Sequence, residues 1–219
     1  MRVRIQKSDM AAKTCYDFRR LEESHHLLLP CKIEEEKETV CMSFDLRGMH
    51  VLEERKKADK GQKMVSLLHA TELEELYYRY DFSLEPDNLY YDILGRVKVK
   101  RRDIILPDQK DREKDFLRRY QALAGYLLDG SRPYEDYLYG GFELLQVKDN
   151  DMAASLLEPE TMREEKKLLL EYYESLLESE KKDMRKVMIK EYRRLLWYRA
   201  VSLPLLVMAC TWFLYAMAY

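Results

Sequence analysis

The chain reads as an α+β domain that continues into a long helical stalk and one transmembrane helix. Three observations carry this. Residues 200–219 hold no charged side chain, although the chain has 38 Lys+Arg and 40 Asp+Glu. Residues 160–203 contain neither Gly nor Pro, and their apolar residues recur at helical spacing. Residues 1–150 mix short β-type runs with helical segments. The expected divisions are therefore 1–150, 151–199 and 200–219.

Within the first division, Val3–Ile5 is a candidate strand and Ala11–Glu23 has helical composition. His26–Ile33 and Thr39–Leu46 read as two strands joined by a turn at Glu34–Glu38. Over Met64–Tyr80, Leu68, Leu73, Leu76, Tyr77 and Tyr80 share roughly one face of a single helix. Leu89–Tyr91 reads as a strand and Asp92–Gly95 as a turn. Arg96–Lys100 follows as a strand alternating Val with basic residues. Tyrosine is abundant, at 17 residues, and clusters at Tyr126, Tyr134, Tyr137 and Tyr139. Core and rim packing accounts for the cluster; the sharper reading is a partner-binding face of Tyr134, Tyr137 and Tyr139.

In the stalk, Leu169, Tyr173, Leu176, Met184, Val187, Met188, Tyr192, Leu195 and Leu196 form a broken stripe. Leu169, Tyr173, Leu176 and Leu177 offer a surface for self-association; the alternative is one face packed on the domain. Charge swings along the stalk, from net -5 over 158–180 to net +6 over 181–199.

The final run is 20 residues, which as a helix spans about 30 Å, the thickness of a hydrocarbon core. Trp197, Tyr198 and Tyr219 suit the two interfaces. The cationic flank, with Lys190, Arg193, Arg194 and Arg199 nearest the run, places residues 1–199 in the cytoplasm by the positive-inside rule. It also attracts anionic lipid. Met1–Gln6 carries no apolar stretch of the kind that opens a signal peptide.

Composition excludes several classes. The net charge of -2 argues against a generally basic nucleic-acid binder. The mean hydropathy of -0.54 averages a highly charged portion with an uncharged one. No Gly-x-Gly-x-x-Gly and no Gly-x-x-x-x-Gly-Lys cradles phosphate. Cys15, Cys31 and Cys41 read as small buried hydrophobes in a reducing compartment. The four histidines lack metal-binding spacing, so no metal and no cofactor is expected.

Leu84-Glu-Pro-Asp-Asn88, followed by its hairpin, resembles the protein-kinase catalytic loop H-R-D-L-x-P-E-N. Leu127-Leu-Asp-Gly-Ser-Arg-Pro-Tyr134 resembles the end of the large helix of a kinase C-lobe. The order and spacing suit a degenerate, kinase-like (pseudokinase) domain with a reduced N-lobe. The resemblance assigns the catalytic-base position to Ser83, which cannot accept a hydroxyl proton as a carboxylate does. Asn88 is retained, but the metal-binding aspartate falls near Arg101-Arg102-Asp103, where Arg101 repels a cation. No catalytic residue is therefore expected. The competing reading is an atypical membrane-bound kinase using Lys98 or Lys100 with Asp103.

A kinase-like domain, a Glu/Lys-rich stalk and one span together resemble the EssB/YukC family of bacterial type VII secretion systems. The resemblance implies a non-catalytic, single-pass scaffold of the cell membrane that forms a homodimer. Its implied partners are an FtsK/SpoIIIE-like motor ATPase, other membrane subunits and, indirectly, WXG100 substrates. The apolar run ending at Tyr219 fits either a tail anchor or a chain cut before an outer domain; family members continue beyond the span, so the resemblance favours truncation. A membrane-tethered adaptor unrelated to secretion is the remaining alternative.

Overall fold

The computed structural model describes residues 1–106, 111–140, 155–156 and 158–218; among 195–218 only Trp197 has a described side chain. The N-terminal sheet is built from Arg2–Gln6 (β1), Cys31–Glu35 (β2) and Thr39–Phe44 (β3). All pairings are antiparallel, in the order β1-β3-β2, with Val3 and Ile33 both opposite Met42. β3 is central because it carries Val40, Cys41, Met42 and Phe44, all buried. Cys15–Leu21 (α1) lies between β1 and β2 in sequence and is shorter than its composition suggests. Thr14 and Asp17 form a reciprocal capping box that sets its start. Cys15 stands exposed at that start, contrary to its expected burial, whereas Cys31 and Cys41 are buried.

The segment expected as one strand from His26 to Ile33 is divided at Pro30. Leu29 N–H donates to the Val99 carbonyl and Val99 N–H to the Leu27 carbonyl, each at 2.9 Å. Only from Cys31 onward does the chain join β3. Proline supplies no N–H to a ladder, so the chain changes partners across it.

After His50–Val51 (β4) and a 3-10 helix at Leu52–Lys57 come Lys60–Ala70 (α2) and Leu73–Tyr77 (α3). These replace the single helix expected over Met64–Tyr80. The Thr71 hydroxyl donates to the Leu68 carbonyl at 2.7 Å, a local bond that competes with continued helix. Tyr80–Asp81 (β5), Leu89–Tyr91 (β6), Val97–Val99 (β7) and Asp103–Ile104 (β8) follow. They form a β4-β6-β7 sheet and a β5-β8 pair.

Arg112–Leu128 (α4) runs through the core and buries nine residues, among them Phe116, Tyr120 and Leu123. Tyr77 meets Phe82 edge-on at 5.2 Å, and Phe116 lies 5.2 Å from Tyr77. Tyr120 is fully buried and donates to the Leu67 carbonyl at 2.7 Å. Tyr134–Gly140 (α5) packs against α4, and Gly125 makes room for the Tyr137 ring.

Met162–Ala218 (α6) is one continuous helix. Contacts divide the chain into Met1–Tyr173 and Glu174–Tyr219. The first turns of α6 belong to the first unit because Met162, Glu165 and Leu169 are buried there. Leu169 is thus committed to its own core and unavailable for self-association. Within the second unit, described side chains from Glu174 to Arg194 are exposed, apart from half-buried Leu176. Among the described residues, no helix is long and apolar enough to cross a membrane. The side chains of the expected span, 200–219, lie outside the described residues.

Candidate functional site

The segment from Asp81 to Asp103 leaves β5, turns at Ser83–Asn88, forms the β6–β7 hairpin and returns as β8. Ser83 Oγ accepts the Glu85 N–H at 3.0 Å, and Asn88 N–H donates to the Glu85 carbonyl at 2.9 Å. These local bonds coil the loop so that the Asn88 carboxamide points inward, 1% exposed. There it donates to the Ser83 carbonyl at 2.9 Å and to the Arg101 carbonyl at 3.0 Å. Its oxygen accepts the Arg101 N–H at 2.7 Å. Ser83, Asn88 and Arg101 are thus brought together, through the Asn88 side chain and the backbone of the other two.

The neighbouring charges are similarly engaged. Lys100 is buried, donates to the Asp87 carbonyl at 2.8 Å and lies 5.2 Å from the Tyr90 ring. Burial pulls its pKa down, partly offset by Asp87. The Arg101 side chain is half-exposed and faces Asp87 at 3.7 Å. Arg102 is 4% exposed; its guanidinium donates to the carbonyls of Leu21, Leu29 and Lys100. Asp103 accepts N–H bonds from Ala11, Ala12 and Ile104. A Lys100–Asp103 catalytic pair is not assembled: the lysine is bonded to the loop, and the aspartate holds the chain after β1.

A carboxamide with both ends occupied, a Ser hydroxyl closing its own turn and an outward guanidinium can lock a loop. No carboxylate among them is placed as a proton acceptor for a substrate hydroxyl. Among the described residues there is no cluster of His, Cys, Asp or Glu able to hold a metal ion. The Arg102 anchor was hidden in the sequence, where a basic pair before an Asp reads as surface. So was Glu165, which is buried in the first unit.

The expected tyrosine face is not a face. Tyr134 and Tyr137 are each 4% exposed, and only Tyr139 stands out, at 81%. The Tyr134 hydroxyl donates to the Arg119 carbonyl, and that of Tyr137 to Asp129, so both are spent inside the fold. Lys190, Arg193 and Arg194 are exposed on α6; the side chain of Arg199 lies outside the described residues.

The family model for the WXG100 protein secretion system (Wss), protein YukC, matches residues 5–219. The fold is similar to the crystal structure of the Staphylococcus aureus EssB cytoplasmic fragment. That match has 24% identity and a TM-score of 0.65, and covers 78% of this chain and 99% of the other. It is also similar to the Geobacillus thermodenitrificans EssB cytoplasmic fragment, with 15% identity and a TM-score of 0.68, over 83% of this chain and 88% of that one. An apo pseudokinase aligns at 15% identity with a TM-score of 0.40, too low to establish a shared fold. No curated protein matches the chain.

Proposed function

The chain belongs to the YukC family of WXG100 secretion-system proteins, and from that membership we propose that it is a non-catalytic, membrane-anchored scaffold of a type VII secretion apparatus. Residues 1–150 are read as a pseudokinase-like cytoplasmic domain with a reduced N-lobe, 151–199 as a juxtamembrane stalk and 200–219 as a single span. The scaffold acts as a homodimer. It engages an FtsK/SpoIIIE-like motor ATPase and other membrane subunits, and WXG100 substrates indirectly. Lys190, Arg193, Arg194 and Arg199 form the membrane flank, and Tyr139 remains available to a partner.

One observation carries the non-catalytic reading: the loop that would hold a kinase base and metal ligand is closed on itself through Asn88, with Ser83 at the base position. Phosphoryl transfer depends on carboxylates that position the nucleophile and the metal ions. The test has two arms on the detergent-solubilised chain. Titration with Mg·ATP should give neither a thermal shift nor phosphotransfer, and either signal overturns the non-catalytic reading. Co-purification with the motor ATPase should be retained; its absence from cells expressing the whole apparatus overturns the scaffold reading.

A further inference from the structure

The start of α6 is fastened to the first unit along one face. Met162 and Leu169 are 3% and 0% exposed, and Glu165 between them is fully buried as well. Spacings of three and four residues put all three on the side that meets the core. The helix beginning is otherwise satisfied locally. Thr161 Oγ1 accepts the Glu164 N–H at 3.3 Å, and the Glu164 carboxylate accepts the Glu160 N–H at 3.2 Å. Loss of the docked face therefore leaves these end bonds intact.

Glu165 breaks the rule that a buried polar group is paired. Both carboxyl oxygens are shut off from solvent, and neither has a hydrogen-bond partner. No cation among the described residues stands close enough to pair with it. On α4, the Tyr120 hydroxyl is spent on the Leu67 carbonyl, and a charge on Glu165 would only hold that phenol more firmly neutral. Gln121 exerts a small pull in favour of the carboxylate, while its side-chain nitrogen donates to the Pro159 carbonyl at 2.9 Å. At the rim, Lys166 attracts Glu74 of α3, and Glu113 of α4 repels it. A neutral carboxylic acid is tolerated in such a place; an ionised one needs water.

We infer that this junction is a proton-operated latch: the turns carrying Met162, Glu165 and Leu169 stay docked on α4 while the Glu165 carboxyl keeps its proton, and come away when it is lost. In the docked state burial pushes the Glu165 pKa up to about 8, whereas the released side chain returns to the ordinary glutamate value of about 4.5. Release binds fewer protons than docking, so it is favoured as pH rises. One proton thereby governs the attachment of a continuous helix to the domain, and the fold of the domain itself is left alone. The inference needs only the first unit and stands apart from the secretion reading.

The experiment uses the full chain in detergent carrying Leu169→Cys, with Glu165 retained or with Glu165→Gln. Labelling by iodoacetamide is followed site by site, by mass spectrometry, from pH 6 to pH 9. Exposed Cys15 corrects for the pH dependence of thiol reactivity, and buried Cys31 and Cys41 report opening of the whole domain. With Glu165, labelling at position 169 relative to Cys15 should rise on the order of a hundredfold across this range. Cys31 and Cys41 should stay unlabelled. With Glu165→Gln the ratio should stay flat. Met162→Cys gives the same reading at the other end of the docked face if Leu169→Cys prevents folding. A flat ratio with Glu165 overturns the inference, as does an equal rise with Glu165→Gln. A parallel rise at Cys31 and Cys41 also overturns it, because the domain would then be opening as a whole.

Discussion

Asn88 engages both backbone polar groups of Arg101, accepting its N–H at 2.7 Å and donating to its carbonyl at 3.0 Å. A third bond ties the same side chain to the Ser83 carbonyl. Asn88→Ala should therefore destabilise the domain by about 3 kcal/mol, because it strands buried backbone groups rather than merely deleting contacts. Asn88→Asp should be at least as damaging, since a carboxylate would face two carbonyl oxygens. Chemical denaturation of wild type and variants measures both; a neutral Asn88→Ala would show that the loop is held by other means.

Arg102 ties the end of α1, the Leu27–Leu29 segment and the end of β7 through three backbone carbonyls. Arg102→Met keeps the length and loses the donors, and should cost about 2–4 kcal/mol. Arg102→Lys should recover only part of this, because an ammonium cannot reproduce the planar fork. An Arg102→Lys variant that unfolds at the wild-type temperature would argue that charge, and not geometry, matters here.

Glu165 should make stability fall as pH rises. Burial pushes its pKa up to about 8, against a smaller opposite pull from Gln121. Other ionisable groups around the start of α6 are Tyr120 on α4 and, at the rim, Lys166 with Glu74 of α3. The folded chain retains a proton that the unfolded chain releases near the ordinary glutamate value of about 4.5. The stabilising contribution is therefore complete below about pH 4.5 and is lost as pH climbs through about 8. Glu165→Gln should flatten this slope and raise stability by a few kcal/mol at pH 8, relative to pH 5. Denaturation midpoints across that range test it; a slope that survives the substitution assigns it elsewhere.

Ser83→Asp should restore no phosphotransfer. The introduced carboxylate would stand alone, with Asn88 still bound to the backbone and Arg101 still cationic. A radiolabel assay with Mg·ATP should remain at background. Incorporation above it would mean that one carboxylate suffices and that the proposed pseudokinase reading is wrong.

Reversing Arg193, Arg194 and Arg199 together to Glu should disturb membrane orientation, since it removes much of the cationic flank nearest the apolar run. A topology reporter fused at the N-terminus reads this directly. Unchanged cytoplasmic placement would show that orientation is set farther along the chain.

Elements whose signals are local were legible in the sequence. The β6–β7 hairpin follows from turn chemistry at Asp92–Gly95 and alternation in Arg96–Lys100, and the long helix from an uninterrupted run without Gly or Pro. The charge asymmetry, the lack of a carboxylate at Ser83 and the family resemblance also required nothing beyond residue order. What failed was set by distant partners. Leu27–Leu29 left their expected strand because Val99, some seventy residues on, supplied the hydrogen bonds. The helix over Met64–Tyr80 broke where the Thr71 hydroxyl found a backbone carbonyl.

The site divides in the same way. On the proposed pseudokinase reading, residue identity at positions 83 and 101 sets which chemistry is missing, because a carboxylate cannot be replaced by a hydroxyl or a guanidinium. Tertiary structure decided what those residues do instead: the Asn88 side chain becomes a clasp, Arg102 an internal anchor, and Asp103 a holder of the N-terminal chain. It also turned Tyr134 and Tyr137 inward and left Ile93 and Leu94 outside. A side chain's burial depends on which distant segment packs over it, and sequence spacing does not encode that partner.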